Sequence, residues 1–235
     1  MKPDDVRQLY DAAYARTYDA KFLTSPLAAP VTECNLALLR KLIAPETNWL
    51  DVACGTGYFL RQFPEIARMG ADLSPAMLEL ARENNPGVAF REHDFRNEQP
   101  EWVGKFSLVS SMWYAYTLVD TIAEVCQVVR NLASWTAPGG TCFVPLADPR
   151  LISRRDLPYH VDDNFDGQTI VTGILWSYVE DGGAKVHSHL VAPQVEFMAE
   201  QFRPYFDRVE IVRHFSPSGL EDKQPVLIAT GKRAA

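Results

Sequence analysis

A chain of 235 residues fits one compact domain, and 47% apolar with 23% charged residues is ordinary globular usage that excludes extensive disorder. The formal net charge of −7 lacks the clustered basic footprint of a protein that grips a phosphate backbone, so no nucleic-acid partner is expected. Met1-Lys2-Pro3-Asp4-Asp5 is charged where a secretory signal would be apolar, and no apolar run reaches the ~18 residues of a membrane span, which predicts a cytoplasmic protein without a membrane partner.

Residues 5–20 and 31–43 read as helices; in the second, Leu36, Leu38, Leu39 and Leu42 form an apolar face before Pro45. From Asn48 onward short apolar runs alternate with helical segments. Strands are predicted at 49–53, 67–72, 88–92, 106–110 and 141–146, with helices at 58–63, 75–83 and 121–135. Pro138-Gly139-Gly140 marks the turn from the last of these helices into its strand. Between about Asp148 and Ala192 the rhythm breaks: segments 169–179 and 185–191 flank Asp181-Gly182-Gly183, which predicts an antiparallel hairpin. A helix at 194–202 and strands at 209–212 and 226–229 complete the chain. The fold class is α/β: a doubly wound, mostly parallel seven-stranded sheet, with an antiparallel insertion after the fifth strand. The domain organisation is a single domain over 1–235, with an N-terminal helical segment at 1–45 and the insertion at 148–192.

The segment Leu50-Asp51-Val52-Ala53-Cys54-Gly55-Thr56-Gly57-Tyr58 runs from a strand through a glycine-rich turn into a helix. Glycine in such a turn permits positive φ and close backbone approach by a ligand. A dinucleotide fingerprint would place a third glycine where Leu60 stands. The next strand ends Met69-Gly70-Ala71-Asp72-Leu73-Ser74, the third is followed by His93-Asp94-Phe95, and the fourth by Ser110-Ser111-Met112-Trp113-Tyr114. Tyr10, Tyr14 and Tyr18 recur every four residues upstream.

Together these segments resemble the class I S-adenosylmethionine-dependent methyltransferases, with Ala53 replacing the first motif glycine. Cys54-Gly55-Thr56-Gly57, Lys105-Phe106-Ser107, Ser111-Met112 and the insertion resemble bacterial sugar N,N-dimethyltransferases in particular. The resemblance implies S-adenosylmethionine as methyl donor and S-adenosylhomocysteine as product. It places Asp51, Ala53, Gly55 and Gly57 at the donor, Asp72 on the ribose diol with Leu73 beside it, and Met77 on the nucleoside. Asp94 and Phe95 would read adenine, and Ser110 and Met112 would meet the amino-acid arm. Tyr14 and Tyr18 would form a lid over the donor, where an aromatic face attracts a sulfonium. Trp113 and Tyr114 would begin the acceptor site.

The predicted hairpin has Ile174, Trp176 and Tyr178 on one face, and Trp176 and Tyr178 are expected to bind a small-molecule acceptor or to meet a second copy of the chain in a homodimer. Five histidines are present: His93, His160, His187, His189 and His214. By the two-residue period His187 and His189 share a side, and with Tyr14 they are the candidates for the chemistry. Two histidines at this spacing lack a third ligand, and Cys34, Cys54, Cys126 and Cys142 form no pair, so neither metal nor disulfide is expected. The predicted activity is methyl transfer to N or O of a small molecule, such as an amino sugar. Three other readings stay open at this stage: a methyltransferase for protein or RNA, an NAD-dependent oxidoreductase, and a non-catalytic S-adenosylmethionine-binding protein.

Overall fold

The strand Asn48–Val52 (β1) is buried from Trp49 onward on both faces, as a central strand of a parallel sheet must be. Leu50 and Val52 pack into one core with Val125, Val129 and Leu132, while Trp49 points into a second with Leu36, Leu39 and Phe59. The computed structural model describes residues 1–162, 167–213 and 224–234; His214 lies outside the described residues.

The helices are Pro3–Leu9 (α1), Ala12–Tyr18 (α2), Ala29–Leu42 (α3), Tyr58–Arg61 (α4), Pro75–Asn84 (α5), Ile122–Trp135 (α6), Pro149–Ser153 (α7) and Val195–Phe202 (α8). The remaining sheet strands are Ala67–Asp72 (β2), Ala89–Glu92 (β3), Phe106–Ser110 (β4), Thr136–Pro145 (β5), Phe206–Val212 (β10) and Val226–Lys232 (β11). They form one seven-stranded sheet in the order β10-β11-β5-β4-β1-β2-β3, parallel except that β11 runs against both neighbours. Helices α6 and α8 cover one face and α3 and α5 the other. The order reverses between β1 and β4, so a crevice opens at the carboxyl ends of those strands, where open α/β sheets bind ligands.

Three local expectations change. The first predicted helix is two helices, because Asp11 caps a new start by accepting a hydrogen bond from the Tyr14 amide at 2.8 Å. Pro138-Gly139-Gly140 lies inside β5, as a bulge between the pairs Phe106–Thr136 and Leu108–Thr141. The insertion contains two hairpins: His160–Asp162 (β6) pairs with Gln168–Ile170 (β7), and Gly173–Glu180 (β8) with Lys185–Pro193 (β9).

Candidate active site

At the end of β1 the chain turns through Ala53 and Gly55, with φ of 55° and 54°. A β-carbon added to Gly55 would meet nothing within 4 Å, so this turn fronts open space. The space is a cavity of about 780 Å³, partly open to solvent. Of the residues expected at the donor, Tyr18, Ala53, Gly55, Asp72, Leu73, Met77, Phe95 and Met112 line it. Asp72 accepts the Gly55 amide on Oδ2 and the Ser74 amide on Oδ1, each at 2.8 Å. Burial pushes its carboxyl up, against the pull of those amides. Each carboxylate oxygen retains capacity for a further bond, which suits a vicinal diol. Ser74 caps α5, its Oγ accepting the Met77 amide at 3.2 Å.

Five other expected residues sit elsewhere. Gly57, at φ 70°, faces α5 and β3: a β-carbon there would come within 2.6 Å of Asn85 Nδ2 and 3.3 Å of Phe90. This glycine admits packing of the turn on its own helix layer. Asp51 and Ser110 are buried beneath the crevice, where Ser110 Oγ donates to Asp51 Oδ1 at 2.5 Å and accepts Trp49 Nε1 at 2.8 Å. Burial, with Asp72 nearby, pushes the Asp51 carboxyl up to about 7, against the hydrogen bond from Ser110. Asp94 is held by Arg96 through Nε at 2.9 Å and Nη2 at 2.7 Å. Burial would raise its carboxyl, but the Arg96 bonds outweigh that and hold it below the usual range. Arg96, rather than Asp94, lines the cavity. Tyr14 lies in a second, adjacent cavity.

That second cavity spans about 740 Å³, solvent at its open mouth included, and is walled by aromatic rings from segments far apart in the chain. Tyr10, Tyr14 and Phe22 come from the N-terminal segment, and Trp176 and Tyr178 from β8, as the alternation along that strand predicts. Trp113 and Tyr114, just after β4, both adopt left-handed φ, 50° and 60°, and both line this cavity. Tyr10, Tyr18, Trp113 and Leu118 line both cavities, so the two spaces share a wall.

In the second cavity Glu180 is 3% exposed. Its Oε1 accepts Tyr14 Oη at 2.6 Å and meets His187 Nε2 at 2.5 Å, while Oε2 accepts Lys21 Nζ at 2.5 Å. Burial would push this carboxyl up, but bonds from Lys21, Tyr14 and His187 hold it below its ordinary value. Burial pushes the His187 imidazole down, against the opposing pull of Glu180. Tyr14 is pushed far above the usual phenol range by burial and by its bond to Glu180, so it stays protonated at neutral pH. Lys185 Nζ stands 3.5 Å from the Tyr14 ring centroid.

His189 corrects the expectation of a shared side. The pairs Trp176–Leu190 and Tyr178–His187 bracket an extra residue in β9, and His189 at φ 58° sits in this bulge. The bulge breaks the two-residue alternation, leaving His187 buried and His189 exposed. Sequence reasoning passed over Glu180, Lys21, Phe22 and Arg96. A signal for Glu180 existed: it continues the face of Ile174, Trp176 and Tyr178 at the same period of two.

Residues 50–140 match the family described as methyltransferase domain. Across its whole length the chain superposes on the crystal structure of Streptomyces venezuelae DesVI, at 25% identity and a TM-score of 0.59, covering 99% of that chain. In fold and in the segment 50–140 the chain is similar to the class I S-adenosylmethionine-dependent methyltransferases. A second solved structure, the S-adenosylmethionine-bound amino pentose methyltransferase CalS10 of Micromonospora echinaspora, shares the fold at 22% identity and a TM-score of 0.59, with 94% of this chain and 97% of that one covered. In sequence the chain is 32% identical over 142 residues to a dTDP-3-amino-3,4,6-trideoxy-α-D-glucopyranose N,N-dimethyltransferase of S. venezuelae, a match covering 58% of each protein. The chain spans about half the length of the curated relatives it matches. Among the described residues no helix is long and apolar enough to cross a membrane.

Proposed function

We propose that this chain transfers a methyl group from S-adenosylmethionine to the nitrogen of a small amine, of which an amino sugar is the leading example. The observation that carries the reading is the shared wall. A cavity at the crevice between β1 and β4, fronted by an open glycine turn and the Asp72 carboxylate, adjoins an aromatic cavity with a buried acid.

The first cavity fits the donor. Asp72 would take the ribose hydroxyls, the Gly55 turn would lie against the amino-acid arm, and Met77 and Phe95 would flank the base. When bound there, the donor supplies a methyl group already activated on a sulfonium, so orientation and exclusion of water are the main tasks left to the protein. Tyr10, Tyr18 and Trp113, shared by the two spaces, would keep water from the line between donor and acceptor. The β8–β9 hairpin would roof the acceptor, with Trp176 and Tyr178 as contacts. The relatives named for amino-sugar N,N-dimethylation support nitrogen over oxygen as the nucleophile. The outer face of the hairpin, with Leu175 and Val179 exposed, is where a second copy would pack in the homodimer reading; sedimentation velocity of the wild type against Leu175→Glu decides it.

The test is a labelled-methyl screen over amino sugars and their nucleotide conjugates, simple amines, phenols and carboxylic acids, with calorimetric titration of S-adenosylhomocysteine beside it. Label entering amines is the expected result. Donor-product binding with label entering only phenols or carboxylates would overturn the choice of nitrogen.

A further inference from the structure

An amine is protonated in neutral water, and its nitrogen attacks carbon only as the free base. If an amine occupies the aromatic cavity, as proposed above, some group there has to receive its proton. The described groups lining that cavity leave few choices. The phenols of Tyr10, Tyr14, Tyr18 and Tyr114 are all pushed up by burial, and they hold their protons. Glu180 is ionised, but its carboxylate is already engaged, with Tyr14 and His187 on one oxygen and Lys21 on the other. His187 is the one imidazole among the described lining residues, and burial pushes it down toward its neutral, proton-accepting form.

The geometry also fixes which nitrogen of His187 is available. The contact between Nε2 and Glu180 Oε1 needs a proton, and with Glu180 ionised that proton sits on Nε2. No described residue hydrogen bonds to Nδ1. We infer that His187 accepts the acceptor's ammonium proton on Nδ1, and that Glu180 is the positioning residue that fixes the imidazole tautomer and balances the imidazolium. In this step the N–H bond of R–NH3+ breaks, its electron pair stays on the amine nitrogen, and the Nδ1–H bond forms. The new charge rests against the Glu180 carboxylate.

The surroundings set the poise. Glu180 and Tyr178 face His187 from β8, Tyr10 and Tyr14 from the N-terminal segment, and the cations Lys185 and Lys21 stand nearby. Burial and the two cations keep the ring neutral at rest, and Glu180 stabilises it once protonated. His189, exposed on the bulge, takes no part.

Two readouts test this. In the first, nitrogen-15 spectra of the histidine-labelled protein with S-adenosylhomocysteine bound should show His187 as the neutral Nε2–H tautomer at pH 7.5. A protonated Nδ1 under those conditions would overturn the inference without any acceptor being involved. In the second, methyl transfer is followed from pH 6.5 to 10 with the amines of the screen, beginning with dTDP-3-amino-3,4,6-trideoxy-α-D-glucopyranose. His187→Asn should be about 100-fold slower at pH 7, the usual scale of general base catalysis, and the gap should close as the amine loses its own proton in solution. Its affinity for S-adenosylhomocysteine should match wild type. Glu180→Gln should move the pH profile, and not merely scale it, which a purely structural role would not do.

A His187→Asn variant with wild-type rates at pH 7 would overturn the inference while leaving amine methylation intact. Should His187→Asn fail to bind S-adenosylhomocysteine, His187→Gln and the tautomer measurement decide instead. Wild-type protein that binds S-adenosylhomocysteine but methylates no amine would end the amine reading itself, and the inference with it.

Discussion

The cavity beneath Asp72 is walled largely by turns at the ends of β1, β2 and β4, whereas the cavity around Glu180 is walled by side chains from the N-terminal segment and the β8–β9 hairpin. Backbone turns at strand ends are fixed by the sheet register, so the first cavity follows from the fold. The second is assembled by contacts such as Tyr14 to Glu180, 166 residues apart in sequence. Loops and insertions carried on a rigid sheet are where specificity ordinarily resides. Substitutions should therefore separate: changes in the first region act on donor binding, and changes in the second act on the acceptor while leaving donor affinity unchanged.

The harshest test of the first region is Gly57→Val. A side chain at φ 70° is strained, and its β-carbon would collide with Asn85. We expect a loss of about 3–5 kcal/mol from the sum of strain and overpacking, measured by urea unfolding. Gly55→Ala is the control: its φ of 54° carries the same backbone strain, but with open space around its β-carbon it should lose less stability, and it should bind S-adenosylhomocysteine more weakly. If both variants lose stability equally, the division between packing glycine and ligand-facing glycine is wrong.

Asp51 gives a signature in pH. Its carboxyl titrates near 7 in the fold against 3.8 when exposed, so between these values the native state binds more protons than the unfolded one. Stability contributed by the protonated form is present below about 4 and lost as pH rises toward 7. The fall is on the order of 2–4 kcal/mol. Asp51→Asn should flatten that slope in unfolding measured from pH 4 to 8, and an unchanged slope would locate the titration elsewhere.

Asp72→Ala should weaken S-adenosylhomocysteine binding by about 1.5–3 kcal/mol, with some loss of stability because the Gly55 and Ser74 amides lose their acceptor. Trp176→Ala, in the second region, should leave that affinity unchanged and raise the KM for the amine by roughly fivefold, about 1 kcal/mol for one aromatic contact. Donor affinity falling with Trp176→Ala would erase the distinction between the regions.

The same division explains what could be read from the sequence. All seven strands of the main sheet were visible, because apolar runs such as Leu50–Val52 and Leu108–Val109 are local signals, and so were Gly55 and Asp72, which close two of those strands. The break at Asp11 depended on one capping carboxylate. The bulge at His189 has no local marker: no glycine or proline announces it, and the pairing of β9 with β8 decides it. Lys21, Phe22 and Arg96 are single residues whose meaning depends on partners distant in the chain or across a turn. Gly57 was legible as a special position but not for its reason, since the neighbour that demands glycine, Asn85, is 28 residues away.

The Glu180 contacts span 166 residues to Tyr14 and 159 to Lys21, against 7 to His187. Closing so long a loop costs entropy before any contact rewards it, which makes these bonds late arrivals on the folding pathway. The sheet can form while the N-terminal helices are still undocked, and the Tyr14 and Lys21 bonds to Glu180 then join them to the hairpin. A substitution that breaks the bonds, such as Glu180→Gln, should accordingly speed unfolding and leave the refolding rate nearly unchanged in a stopped-flow denaturant series.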